Sequence, residues 1–348
     1  MRILIVLPRQ ERATGNEVTA ARHHAGLVAL GHDVVLERVD PADAMRLRAC
    51  VGIFAPDVVH LLHAYRSGRP WLEANLSAIP YVVTLTGTDI NGGIDSPAQG
   101  PIIRSVLAAA GRIITHNRLT ATQLRREFPA LADKVAYLPP GVVLGTAPSP
   151  WSRAELAPPN VTLLLHPAGL RPVKGNLELL ALCDPLTAAD LPFAIAFCGP
   201  PLDSAYSADF VAAVARRPWA RYLGVIPPEA MPATLRQADV VLNNSQSEGL
   251  PNALLEADAL GVPMLVRDIP GNAAVVEAGV NGLFYDDATS FVRQARALIV
   301  DPALRRRLAR PDPERYAPAI ETQALVTLYE EVYLTGKKAD FESTKHLI

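Results

Sequence analysis

The chain has 348 residues, 49% of them hydrophobic, more than one small core needs and enough for two domains of ordinary size. With 33 basic against 35 acidic residues the formal net charge is −2, so the charge balance offers no argument for a nucleic-acid partner. Cys50, Cys183 and Cys198 are too few and too scattered for a disulfide framework or a zinc site. No apolar run approaches the roughly 20 residues of a membrane span, and the opening MRILIVLPRQERATG has neither a signal-peptide core nor a cleavage site. The expectation is a cytoplasmic, metal-independent protein.

Residues 2–7, RILIVL, form an aliphatic run of the kind buried on both faces of a parallel sheet. The loop RATGN leads into a helical pattern with Val18, Ala21, Ala25 and Val28 on one face. His23 and His24, on the same helix, read as surface residues. After Gly31 the stretch HDVVLERV reads as a second strand and completes a βαβ unit. Strand-like runs recur at 57–64, 80–87, 112–117 and 134–141, most ending in polar or Gly residues, where an open α/β sheet places its ligands.

The Pro-, Ser- and Gly-rich stretch 139–160 reads as a hinge between two Rossmann-like α/β domains, 1–150 and 151–318. In the second domain, strands are expected at 161–169, 193–200, near 221, at 239–245 and at 262–268. The RRR run at 305–307 reads as a solvated helix face. Ile320, Ala324, Leu328 and Val332 make an apolar helical stripe in a segment 319–348 expected to pack back toward the first domain. Its last residues, GKKADFESTKHLI, are poorly periodic and read as a mobile tail.

The chemistry concentrates in SEGLPNALLEA, 247–257. Pro251 suits a first helical position, and the free N–H groups and dipole of a helix start make an anion site. Glu248 precedes that start, and Glu256, four residues after Asn252, lies on the same face. Carboxylates repel phosphate, but one ionised carboxylate accepts from two vicinal hydroxyls. A nucleotide sugar has a diol on each side of its diphosphate, so the pattern fits a diphosphate at the helix start, one Glu on the ribose and one on the transferred sugar. The plain alternative is an N-terminal acid helped by the dipole and an exposed helical Glu. PAGLRPVKG, 167–175, adds Arg171 and Lys174 in a Gly-flanked loop directly after an apolar strand, placed to neutralise charge on a departing diphosphate. Its alternative is a solvated basic turn.

Taken together, Glu248 and Glu256 at this spacing, GLRPVKG, FCGP at 197–200 and GVNGLF at 279–284 resemble the retaining GT-B glycosyltransferases of family 4, over nearly the whole chain. TGNEVTAAR at 14–22, HAYRSGR at 63–69, TGTDIN at 86–91 and IPGNAAVV at 269–276 are similar, more narrowly, to glycosyltransferase 1 domain-containing proteins and, more loosely, to bacterial selenosugar synthases. The resemblance implies a GT-B fold, two Rossmann-like domains facing a cleft, and a metal-independent hexosyltransferase without a cofactor. The donor, by implication a UDP-sugar, would bind the second domain, and a small-molecule or glycan acceptor the first. Glu256 would hold the ribose, Glu248 the donor sugar, and Arg171 and Lys174 the diphosphate. Gly249, Leu250 and Asn252 would line the donor, backbone at Gly199 and Ile226 would face the base, and Gly15 would let the first loop approach the phosphates. The implied reaction is a front-face substitution with retention.

Departures from the family pattern are specific. Thr86 stands in TLTGTD where many members carry His, with His63 as a spatial substitute or a satisfied structural residue. The step from Arg171 to Lys174 is shorter than usual, and Ala274 in PGNAA falls where relatives have Glu. The expected acceptor cluster is Asn16, His63, Arg66, Thr88 and Asp89. Arg66 suits an anionic acceptor such as a phosphate or carboxylate, and Asp89 could orient a hydroxyl. Alternatively, Arg66 pairs with a surface acid and Asp89 caps a segment. A sugar-nucleotide 2-epimerase and a non-catalytic binding protein are the competing readings on this fold. A nicotinamide-dependent oxidoreductase is disfavoured, because RATGNEVTA has one Gly where the dinucleotide fingerprint needs three.

Overall fold

A computed structural model of the protein describes residues 1–9, 15–76, 78–312 and 314–345. The chain forms two compact units: unit 1 is Met1–Gly141 together with the chain from Ala317 onward, and unit 2 is Val142–Tyr316. Unit 1 contains β1 (Arg2–Pro8), β2 (Asp33–Val39), β3 (Val58–Leu62), β4 (Tyr81–Leu85), β5 (Arg112–Thr115) and β6 (Val135–Tyr137). They form a parallel sheet in the order β2-β1-β3-β4-β5-β6. Unit 2 contains β7 (Thr162–Pro167), β8 (Phe193–Cys198), β9 (Ala220–Tyr222), β10 (Val240–Asn243), β11 (Met264–Arg267) and β12 (Gly282–Tyr285). Its parallel order is β12-β11-β10-β7-β8-β9.

The aliphatic runs become strands because helices cover both faces of each sheet, so both sides of a strand must be apolar. In β1, Leu4 and Val6 pack in one cluster with Val59, Leu61 and Val83, while Ile3, Ile5 and Leu7 point the other way to meet Val58, Leu62 and Val82. That period of two is the pleat of a strand buried on both faces. In each unit the strand order reverses direction at one place, between β1 and β3 and between β7 and β10. Open α/β sheets bind ligands beyond the strand ends at such points. The strand β12, GLFY, lies in a stretch that the apolar runs alone do not mark as a strand.

Two helices differ from expectation. The first helix, Gly15–Ala29, buries Ala20, His23 and Leu27. Val18 and Val28 of the expected face are 52% and 47% exposed, and Ala21 and Ala25 are exposed as well. Of the expected loop before it, 12–14 lie outside the described residues, and Gly15 and Asn16 already belong to the helix. The last described helix, Pro318–Lys345, turns Ile320 outward and buries Glu321, Thr322, Leu325, Tyr329 and Val332. It continues through the stretch expected to be a mobile tail, of which 346–348 lie outside the described residues. At 305–307, Arg306 and Arg307 are exposed, while Arg305 donates to the carbonyls of Leu298 and Ile299.

One polar cluster inside unit 1 accounts for both rotated faces. Arg22 forks onto Glu321, Nε to Oε2 at 2.6 Å and Nη2 to Oε1 at 2.9 Å, and His23 Nε2 lies 3.0 Å from Oε1. His23, far from being a surface residue, is fully buried and stacks on His60 with ring centroids 5.6 Å apart. His60 in turn reaches Tyr329 Oη at 2.7 Å and Thr84 Oγ1 at 2.6 Å. Burial works against charge on Glu321, but donation from His23 and Arg22 outweighs it and holds the carboxyl far below its ordinary range. His23, His116 and Glu321 offer metal-ligand atoms within 4.8 Å of one another. Arg22 is already on both oxygens of that carboxylate.

Glu321→Ala leaves Arg22 without its partner in a largely buried site and should cost about 3–5 kcal/mol at pH 7. The folded pKa of Glu321 is depressed, so its contribution is complete above the unfolded value of 4.5 and fades as pH falls below it. The wild-type advantage should therefore shrink at pH 3. Hydrogen exchange of peptides from the first helix under denaturant, at both pH values, measures this, and equal stabilities at pH 7 would contradict it.

Candidate functional site

In unit 2 the loops after β7 and β10, the two strands at the reversal point, are tied together by backbone and side-chain bonds. Asn244 Nδ2 donates to Gly175 O at 2.7 Å and Gln246 N–H to Val173 O at 2.8 Å. Between these ties Lys174 Nζ donates to Glu248 Oε1 at 2.6 Å, with both side chains mostly buried. The same oxygen receives Ser245 Oγ at 2.6 Å and Asn243 Nδ2 at 3.3 Å, and Asn272 Nδ2 reaches Asn243 Oδ1 at 3.3 Å behind them. Burial opposes ionisation of Glu248, yet the Lys174 ammonium and these donors together hold its pKa below the ordinary carboxylate value. Gly271 is pressed against Glu248, since a Cβ there would fall 2.4 Å from the Glu248 carbonyl oxygen. Arg171 sits on extended backbone at the start of the Lys174 turn with its side chain exposed.

His166, on β7 behind this pair, was not singled out by the sequence. It is fully buried, with Nδ1 3.0 Å from Leu242 O, and burial lowers its pKa to about 4, which keeps the ring neutral.

Pro251 is the residue before the helix, not its first residue: its ψ of 105° is extended, and the helix runs Asn252–Leu260. Leu254 and Leu255 N–H close onto Pro251 O, so the amides of the helix start ahead of Leu254 are those of Asn252 and Ala253. Asn252 is exposed there, while Glu248, Gly249 and Leu250 are half-buried in the preceding loop. One turn into the helix, Glu256 Oε2 is buried with no hydrogen-bond partner among the described residues. Burial alone raises its pKa to about 7. After burial, the Glu256 charge is also what raises the pKa of Cys198, the residue before Gly199. Gly199 has φ +148°, and a Cβ on it would fall 2.4 Å from Ala168 O, so only glycine fits this strand end. The Ile226 side chain is in the core at 5% exposure, leaving only its backbone to line a site.

In unit 1 the ends of β3 and β4 meet through His63 and Asp89. His63 has φ +83°, uncommon for a residue with a side chain. Its Nδ1 accepts the N–H groups of Tyr65 and Arg66, each at 3.2 Å, which assigns the proton to Nε2, 3.0 Å from Thr88 Oγ1. Asp89 is fully buried and accepts from the N–H groups of Ala64 at 2.9 Å, Thr86 at 3.0 Å and Gly87 at 3.0 Å. It ties the two strand ends together. A hollow of about 210 Å³ opens beside them, lined by His63, Arg66, Thr88, Gly92, Gly93, Ser96 and Gln99. Asn16 and Gly15 lie at the start of the first helix and are not among its lining residues. The last four lining residues follow the TGTDIN motif and carry no spacing signal of their own.

Residues 150–314 match the family described as Glycosyl transferases group 1. The matched segment contains Arg171, Lys174, Glu248 and Glu256. The chain is 27% identical over 312 residues to glycosyltransferase 1 domain-containing protein 1 of Xenopus tropicalis, covering 85% of this chain and 87% of that one. It is 27% identical over 264 residues to a D-inositol 3-phosphate glycosyltransferase of Segniliparus rotundus, covering 69% of this chain but 58% of that relative, less than two thirds of its length. Among solved structures, Anabaena HepE in complex with UDP and glucose superposes with a TM-score of 0.68 at 17% identity, covering 93% of this chain and 98% of that one. The paired six-stranded parallel sheets are the GT-B fold, shared with solved glycosyltransferases.

Two outcomes follow for this site. A double-mutant cycle of Lys174→Met and Glu248→Gln, read by chemical denaturation, should give a coupling of about 1–3 kcal/mol, because either single change strands a buried charge. Glu256 behaves oppositely to Glu321: its folded pKa is raised, so it weighs against stability increasingly as pH rises from 4.5 through about 7. Glu256→Gln should therefore be more stable than wild type at pH 8, by up to roughly 3 kcal/mol, and equal to it near pH 4.

Proposed function

We propose that the protein is a retaining glycosyltransferase that takes a sugar from a UDP-sugar, unit 2 holding the donor and unit 1 supplying the acceptor side. The observation that carries this is Glu256 Oε2, a buried carboxylate oxygen with no partner among the described residues, one turn inside a helix whose start offers the amides of Asn252 and Ala253. A vicinal diol supplies two hydroxyl donors to such an acceptor, and a diphosphate suits the amides ahead of Leu254. The ribose and diphosphate of a nucleotide bring both together. Arg171 and Lys174 then meet the charge of the diphosphate, with Gly249, Leu250 and Asn252 along it and the Gly199 and Ile226 backbone toward the base. Glu248, ionised and oriented by Lys174, Ser245 and Asn243, accepts from a hydroxyl of the transferred sugar. The choice of uridine is supported by HepE, whose structure holds UDP.

In the proposed reaction the bond from the sugar's anomeric carbon to the phosphate oxygen breaks, and the acceptor oxygen bonds to that carbon from the same face. The acceptor's proton passes to the departing phosphate oxygen, whose charge Arg171 and Lys174 stabilise in place of a metal ion. A 2-epimerase would need acids at the reacting sugar carbon, and Asp89 has its oxygens on backbone amides. A cytoplasmic setting is supported by three free cysteines, and no helix among the described residues is long and apolar enough to cross a membrane.

A thermal-shift panel of nucleoside diphosphates and nucleotide sugars tests the donor reading. UDP at about 100 times its dissociation constant should stabilise the wild type by roughly 2.7 kcal/mol, and Glu256→Ala should lose most of that gain. Stabilisation by no nucleotide would sink the reading. Release of UDP from a UDP-sugar would separate an enzyme from a non-catalytic binding protein.

A further inference from the structure

The hollow in unit 1 has a composition that selects its occupant. Arg66 is the one charged side chain among its lining residues, is exposed, and has no salt bridge among the described residues. The nearby carboxylate, Asp89, is fully buried and turned onto the amides of Ala64, Thr86 and Gly87. Among the described residues, no carboxylate lies within salt-bridge distance of Arg66. Because His63 presents Nε2–H to Thr88 Oγ1, the Thr88 hydroxyl keeps its own proton to give to a ligand. Ser96 and Gln99 add a hydroxyl and a side-chain amide, and exposed Gly92 adds bare backbone.

A neutral sugar or polyol could donate to the hydroxyl and amide oxygens of the described lining, but it would leave the Arg66 charge without an anion. A carboxylate uses two oxygens in one plane. A forked guanidinium, two hydroxyls and an amide lining one hollow suit a tetrahedral oxyanion with three free oxygens. At about 210 Å³ the hollow is also smaller than the roughly 300–1,000 Å³ pockets that enclose drug-sized ligands. We propose that this hollow binds the phosphate group of a compact phosphorylated acceptor, with Arg66 as its principal contact. The proposal rests on the reading of unit 1 as the acceptor side.

Inorganic phosphate is the probe, titrated calorimetrically against matched chloride onto protein saturated with UDP, so that the cations of unit 2 are occupied. Saturable binding is expected in the wild type, at least tenfold weaker in Arg66→Gln and intermediate in Arg66→Lys, with UDP affinity unchanged in both. Arg66 is exposed, so neither substitution threatens the fold. Absence of saturable phosphate binding up to roughly 50 mM, where a millimolar site would show, overturns the proposal, as does equal binding by wild type and Arg66→Gln. Failure of UDP itself to bind is a failure of the donor reading instead. In that event the same titration on Arg171→Gln, with and without Arg66→Gln, still decides the phosphate site.

Discussion

The ion pair between Lys174 and Glu248 is the constraint around which unit 2 is arranged. It joins the loops that leave two adjacent strands in opposite directions, and the Asn244–Gly175 and Gln246–Val173 bonds fix its length. A mostly buried pair of this kind gains little net stability over apolar packing, so its value lies in orientation. Ser245 and Asn243 hold the same Glu248 oxygen, and Asn272 holds Asn243, so the carboxylate is steered from three elements. The neutral ring of His166 behind it adds no competing charge.

Glu248 and Glu256 form a contrasted pair. The first is ionised below the ordinary range by a cation and converging donors, and the second is pushed up to about 7 by burial without a partner. Two carboxylates in one loop-and-helix segment are thus shifted in opposite directions by their surroundings alone. One is satisfied within the protein, and the other has hydrogen-bonding capacity left over.

Much of this was legible in the sequence, and the reason is local. Parallel strands covered on both sides need unbroken aliphatic runs, and RILIVL, YVVTL and TLLLH announce themselves in that way. The basic loop and the two glutamates are likewise short-range patterns. What could not be read depends on partners distant in the chain. Val18, Ala21, Ala25 and Val28 make a plausible apolar face, yet the helix turns Arg22 and His23 inward because their partner is Glu321. No window of neighbouring residues contains that information. Asn243, Ser245 and Asn272 were hidden for a related reason: single amides and hydroxyls carry no periodicity. The hollow beside Arg66 was only partly visible, since Gly92, Gly93, Ser96 and Gln99 gain meaning from the bend that brings them to His63.

Unit 1 is closed by a helix that the ribosome makes after all of unit 2. At typical elongation rates the intervening residues take on the order of ten to thirty seconds to emerge. During that time Arg22 and His23 have no Glu321 and His60 has no Tyr329, and the apolar groove filled by Leu325 and Tyr329 stands open. Unit 2 is one uninterrupted segment and meets no such delay. The usual order of biogenesis is thereby inverted: the unit that begins first is completed last.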